Sequence, residues 1–423
     1  MSRRRVVVTG LGCITPAGND VGSTWDHLLA GKTAVGTVEL LEKEHCACTI
    51  GAPVRDFFPE RLDVRQDVSR MGRSSQFALA AAVEAWRDAH LDARSLDPTR
   101  CGAVIGTGIG DAVETYGQTK SFLSRGVKAV HPLFVTKVMP NAASGILSVE
   151  FGLAGPVFTI SSACASGGHA IGMAARLIRS GDADLVLSGG VEEVFSCVIH
   201  PAAFDVIRAL SRRNGDPARA SRPFDRDRDG FVLAEGAGMV VLEELDHARA
   251  RGAKIHAEVA GVGMTSDAHH MMAPDPQGGG AARAMALALR DAEWKPQDVQ
   301  HINAHGTSTP LNDRIETLAI RKVLERHSDS ICVSAIKSMI GHMIGASAAV
   351  GLIATTLAVR DGRVPPTINL DHPDPECDLD YVPHRARSLD LRAALVNSFG
   401  FGGHCVSLAV GRVSEPPMTS ADR

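Results

Sequence analysis

Short apolar runs that read as strands alternate with longer stretches of helical periodicity along most of the chain, and this alternation restricts the fold to sheets covered by helices. Strand candidates at 5–9, 101–106 and 184–189 are interleaved with helical patterns at 74–90 and 170–179. After residue 250 the cycle begins again. Strand candidates lie at 257–262, 299–304, 331–335, 394–397 and 406–410, with helical patterns near 280–292 and at 345–360. A strand that returns through a helix re-enters its sheet parallel. The expected class is therefore α/β, two duplicated halves with mostly parallel sheets layered between helices. The expected boundaries are 1–250 and 251–412, with 413–423 a flexible tail and the charged, glycine-rich stretch 219–236 a loop.

The interior this implies is built from small residues. Of 423 residues 42 are glycine and only 4% are aromatic, which suits close backbone packing. Gly10-Leu11-Gly12-Cys13 follows the first strand candidate, but a third glycine is missing and Thr15-Pro16 interrupts, so a structural turn is expected rather than a dinucleotide loop. A net charge of −4 offers no general attraction for nucleic acid or an anionic membrane. The basic start has too short an apolar run for a signal peptide, and no uninterrupted apolar stretch of about 18 residues is seen, so a soluble, cytoplasmic protein is expected. Nine cysteines without a CxxC pair or zinc-like spacing fit a reducing compartment and no metal.

Cys164 stands at the join of a strand-like stretch and an Ala-rich helical pattern. Helix N-terminal N–H groups there favour a thiolate without a neighbouring base, and hold an oxyanion once sulfur attacks a carbonyl. Three segments support a reactive reading over a merely packed cysteine. Asn303-Ala304-His305-Gly306-Thr307-Ser308-Thr309 follows a strand, where α/β folds place chemistry. Thr307 and Thr309 are read either as caps or as donors to a polar substrate arm. Lys337-Ser338-Met339-Ile340-Gly341-His342 brings a lysine hemmed by apolar residues, and so a candidate buried cation, close to a second histidine. Phe399-Gly400-Phe401-Gly402-Gly403 is a turn whose backbone can approach a ligand, its aromatics serving as core or as gate. One cysteine and two histidines without a triad carboxylate suit carbon–carbon bond formation on thioesters. Sulfur takes an acyl group while neutral imidazoles stabilise an enolate released with CO₂.

With these motifs the chain resembles the β-ketoacyl-ACP synthase (ketosynthase) family of the thiolase superfold, over nearly its whole length. The resemblance implies Cys164 as nucleophile, His305, His342 and Lys337 as its catalytic partners, and an oxyanion hole from the N–H groups of Cys164 and Phe401, with Phe401 as gate. It implies that Thr307 and Thr309 hold a phosphopantetheine arm, which arrives on acyl carrier protein, with no permanently bound cofactor. Phe399, Ile109 and Phe134 are the further substrate-pocket residues, the last two at a floor near a dimer interface. Arg70, Arg73, Arg212 and Arg213 are the candidates for docking the acidic carrier protein. A homodimer or a pairing with a chain-length-factor-like subunit is implied.

Asn312-Asp313-Arg314 and residues 374–381 resemble polyketide ketosynthases, whereas residues 162–169 and Phe399-Gly400-Phe401 resemble the fatty-acid enzyme; type II polyketide synthesis is the favoured expectation. Two positions depart from the family. Gly351 replaces its usual glutamate, and Glu316 or Asp313 is expected to ion-pair with Lys337 instead; Cys405 stands where relatives carry Asn or Thr. Two rivals have specific counter-signs. A degradative thiolase needs a second cysteine in a CxG-like turn, where this chain has Gly403-His404-Cys405, and a non-elongating chain-length factor normally lacks the nucleophile.

Overall fold

The computed structural model describes residues 3–413, so the expected tail from 414 onward lies outside the described residues. Ten strands form the main sheet. They are β1 (Val6–Ile14), β2 (Cys101–Gly106), β3 (Val157–Ile160), β4 (Leu185–Glu192), β5 (Gly236–Glu244), β6 (Ala257–Ser266), β7 (His301–Asn303), β8 (Cys332–Ser334), β9 (Ala393–Gly400) and β10 (His404–Gly411). Their order across the sheet is β8-β7-β9-β10-β6-β1-β5-β4-β2-β3. Each half thus has the same internal order, β3-β2-β4-β5-β1 and β8-β7-β9-β10-β6, joined by a short antiparallel contact of Val7 and Val8 with Glu258 and Ala257. The duplication is exact in topology.

The expectation of mostly parallel sheets is corrected. Parallel pairing is confined to β3-β2-β4 and β8-β7-β9, while β4-β5, β5-β1, β9-β10 and β10-β6 are antiparallel. For β9 and β10 the reason is the length of the connection. Only Phe401, Gly402 and Gly403 separate β9 from β10, and three residues make a hairpin but never a crossover; Gly402 and Gly403 take φ of 86° and 75° to close it.

The helices that flank the site are α1 (Arg73–Asp88), α2 (Ala142–Phe151), α3 (Ser166–Ser180), α4 (Gly279–Ala292), α5 (Pro310–Leu324) and α6 (Ser347–Asp361). Helices α3 and α6 form the middle layer, each touching strands of both halves and each other. Helix α6 is apolar on every face and buried from Ser347 to Val359, as a helix walled in on all sides must be. With the turn before it, Ile344–Asp361 has the length and mean hydropathy of a membrane span, yet 89% of it is buried in the fold.

The Gly10-Leu11-Gly12-Cys13 segment is not a turn. It continues β1, paired with β5 across a register shift between Val8 and Gly10. The glycines serve helix packing, because a Cβ at Gly10 would overlap the carbonyl oxygen of Ala85 and one at Gly12 that of Ala81, both on α1.

Candidate active site

Every chemical residue of the site sits at the C-terminal end of a parallel strand or in the turn that follows it. Cys164 occupies the 3-10 turn Ala163–Ala165 between β3 and α3, with Ala163 held at φ 51°. A non-glycine residue in that region stores strain that the surrounding packing must enforce. The turn is held by Ser398, whose hydroxyl donates to the Cys164 carbonyl at 2.7 Å. Gly400 approaches so closely that a Cβ there would lie 2.8 Å from Ser162 O and 3.0 Å from Cys164 N. The Phe399–Phe401 strand end is therefore laid against the nucleophile turn, and the N–H groups of Phe401 and Cys164 bear on the sulfur.

The thiolate expected from the helix terminus is corrected. Burial pushes the Cys164 thiol up to about 12, opposed by the charge of Lys337 and by those N–H groups. Desolvation of an anion outweighs the dipole here. The resting group is a thiol.

His305 follows β7, and its backbone N–H and that of Gly306 donate to Glu316 of α5, both at 2.9 Å. His342 lies in the turn before α6, with its Nδ1 2.8 Å from the Ser347 hydroxyl. The two imidazole rings stand 5.4 Å apart and nearly perpendicular. Burial first, and the Lys337 charge second, hold both well below the usual histidine range. Both are neutral at physiological pH. His305 Nδ1 has no hydrogen-bond partner among the described residues.

Lys337 is buried, and burial lowers it to about 8 against the opposing field of Glu316. Its Nζ donates to the His305 carbonyl at 2.6 Å. The expected ion pair is not made, since no carboxylate oxygen among the described residues lies within 4.0 Å. Glu316 is committed to His305, Gly306 and the Asn397 amide, and Asp313 to Phe224 N–H, Asn312 and Arg228. At Gly351 a Cβ would fit tightly, meeting Val396 at 3.3 Å. The lysine is stabilised through a carbonyl and a field rather than a contact.

Cys164, His305, His342, Thr307, Thr309, Phe399 and Phe401 line one cavity of about 390 Å³. Thr309 is also the N-cap of α5, and its hydroxyl is 3.0 Å from that of Thr307. The cap reading of that threonine is thus met. Phe401 stands at the hairpin tip, 36% exposed. Ile109 and Phe134 do not line this cavity. Ile109 packs on the main core beyond Ile344, and Phe134 begins a short half-exposed helix, Phe134–Val138.

The four arginines expected to dock carrier protein are already paired. Arg70 meets Asp67 at 3.1 Å, Arg212 meets Asp205 at 2.9 Å and Arg213 meets Asp229 at 3.7 Å. Arg73 stacks on Phe77 and reaches buried Glu235 at 3.6 Å, a structural role. Sequence reasoning missed Arg208, which is exposed at the cavity rim with no carboxylate within 4.0 Å among the described residues. It also missed Ser347, and Ser398 and Asn397, whose roles depend on contacts between distant segments.

A buried thiol with two N–H groups on its sulfur and two neutral imidazoles in one cavity, with a lysine bonded to the backbone of one of them, define a thioester-using acyltransferase. Residues 3–248 match the β-ketoacyl synthase N-terminal domain and residues 256–371 the C-terminal domain. The chain belongs to the β-ketoacyl synthase family. Its relatives include 3-oxoacyl-[acyl-carrier-protein] synthase 2 of Synechocystis sp., 46% identical over 97% of this chain and 98% of that protein. The same-named protein of Coxiella burnetii is 44% identical over 98% of this chain and all of that one. Solved structures that share the thiolase-like fold include the ishigamide ketosynthase/chain length factor, with TM-score 0.91, 36% identity and coverage of 98% and 100%. A second is AntDE:AntF, a type II polyketide acyl-carrier protein in complex with its ketosynthase, with TM-score 0.89, 34% identity and coverage of 98% and 100%.

Proposed function

We propose that this chain condenses malonyl-carrier protein with an acyl chain held on Cys164. The observation that carries this reading is the convergence of Cys164, His305 and His342 from opposite halves of the duplicated fold on one cavity. In the first stage the Cys164 sulfur attacks an acyl thioester while a neutral imidazole accepts its proton and passes it to the departing pantetheine sulfur. In the second, malonyl thioester loses CO₂, and imidazole N–H groups hold the enolate oxygen. With the Ser347 hydroxyl donating to Nδ1, His342 would carry its proton on Nε2 for this task. The enolate carbon attacks the acyl-Cys164 carbonyl, whose oxyanion is received by the N–H groups of Cys164 and Phe401. Collapse of that intermediate expels the Cys164 thiolate, which takes up one proton from solvent.

Identity of 42–46% to proteins named 3-oxoacyl-ACP synthase 2, against 34–36% to the polyketide structures, supports fatty-acyl elongation as the first reading. The polyketide reading, favoured by sequence motifs alone, is kept as the second because those structures share the fold at TM-scores near 0.9. Thr307 and Thr309 would hold a phosphopantetheine arm entering past Arg208, Ile207, Met272 and Leu311, a rim of one cation and exposed apolar side chains. The edge of β3 is unpaired and Phe122, Leu123, Val127 and Val135 are exposed, which supports a second subunit there, a copy of this chain or a chain-length-factor-like protein. Ile109 and Phe134 would complete the acyl pocket only with that subunit in place. All nine cysteines are free thiols, in keeping with a reducing compartment.

Transfer of a radiolabelled acyl group from carrier protein to the purified chain tests the reading. Label is expected on the native protein and not on Cys164→Ala; labelling of both, or of neither, overturns it. Mass spectrometry of carrier-bound products separates a single β-keto extension of a saturated chain from a poly-keto chain.

A further inference from the structure

The duplicated fold places a second turn opposite the nucleophile. Cys164-Ala165-Ser166 opens α3, and Gly345-Ala346-Ser347 opens α6 at the corresponding point of the other half. Each is a 3-10 turn behind a residue of left-handed φ, Ala163 at 51° and Ile344 at 42°. In the first half the turn's N–H group bears on sulfur. In the second the corresponding N–H, that of Gly345, meets a carboxylate supplied from inside the protein.

That carboxylate is Glu192, the last residue of β4 and fully buried. Its Oε2 accepts from Gly108 N at 2.8 Å and Gly345 N at 3.0 Å. Its Oε1 accepts from Ile109 N at 3.0 Å, Thr107 Oγ1 at 3.1 Å and Gly110 N at 3.3 Å. Five donors and no acceptor around one carboxyl suit an anion, although burial raises it to about 7. No step of the condensation uses it.

Its partners lie directly behind a wall of the site. A Cβ at Gly108 would lie 2.8 Å from Ile344, and Ile344 lines the cavity beside Cys164. A Cβ at Gly345 would lie 2.6 Å from Gly108 N. The loop 107–110, the Ile344 turn and the nucleophile turn are thus pressed together with no slack, and Glu192 is the one group bonded to the first two.

We propose that Glu192 is a positioning residue for acyl-chain length, clamping the loop 107–110 onto the Ile344 turn so that a long acyl group on Cys164 finds its wall in place. This rests on the reading of Cys164 as the acyl acceptor. An acetyl group stays beside the sulfur. On this proposal a dodecanoyl group runs past Ile344 toward the loop behind it.

Glu192→Gln keeps the shape but turns an amide N–H₂ toward N–H donors, releasing part of the clamp. With acyl-carrier protein as donor, kcat/KM for dodecanoyl transfer is expected to fall by about 10- to 100-fold, the scale of an ångström-sized displacement. Acetyl transfer is expected to stay within about threefold. Equal losses for both donors, as a purely structural role gives, overturn the proposal, and so does no change in either. Thr107→Val removes one donor without removing the charge, and should shift the same ratio in the same direction by a few-fold if Glu192→Gln does not fold. Failure of the native protein to accept any acyl group would instead refute the condensing reading itself.

Discussion

Lys337 gives the sharpest test of how the site is held. Burial lowers it from 10.5 to about 8, which corresponds to about 3 kcal/mol by which folding disfavours its charge. Because the folded value lies below the unfolded one, the penalty is fully present below pH 8 and is relieved as pH rises from 8 toward 10.5. Lys337→Met removes the group, so the variant feels no such pH dependence. It also loses the 2.6 Å bond to the His305 carbonyl, a cost of about 1 kcal/mol at any pH. An unfolding entropy of about 2.1 cal/mol/K per residue gives roughly 0.9 kcal/mol/K for this chain. The variant should therefore melt about 2 °C above the native protein at pH 7, and most of the 3 kcal/mol should be gone by pH 10, moving the difference down by about 3 °C. Condensation should fall at the same time, since the anchor on His305 is lost. Scanning fluorimetry of both proteins at the two pH values reads the change directly. A melting difference that is the same at pH 7 and 10, or that grows with pH, refutes the buried-cation argument.

Other perturbations probe separate links. Gly400→Ala forces a methyl against Ser162 O and Cys164 N and displaces the Phe401 N–H from the oxyanion position, so acyl-transfer kcat should drop by about 10²-fold; unchanged kcat would remove that N–H from the mechanism. Glu316→Gln weakens the hold on His305 N and Gly306 N, and malonyl decarboxylation should fall about 10-fold, measured as CO₂ release. Cys164→Ala should abolish elongation yet retain that CO₂ release, and elongation by the variant would end the nucleophile assignment. Arg208→Glu should raise KM for carrier protein, with a smaller effect at 1 M salt, where charges are screened over about 3 Å; an unchanged KM would place docking elsewhere.

The corrections share one cause. Sequence periodicity reports what a segment is, so the strands at 101–106 and 406–410 and the helices at 74–90 and 280–292 emerged close to their expected limits. It reports poorly what a segment lies against. Gly10 and Gly12 looked like a turn because glycine frees the backbone, whereas here it admits a helix. Cys164 looked like a thiolate because its place in the chain is visible and its burial is not. Arg73 looked free because its acidic partner Glu235, more than a hundred residues away, is named only by the fold.

What the sequence determined by itself was the alternating α/β plan, its repetition, and the identity of Cys164, His305, His342 and Lys337, because local patterning and motif chemistry are written in consecutive residues. The tertiary structure alone decided the mixed strand directions, the protonation of the thiol and imidazoles, the carbonyl that receives Lys337 and the carboxylate of Glu192 between two turns. Those depend on desolvation and on distances between segments more than 200 residues apart, and neither quantity exists until the two halves close on each other.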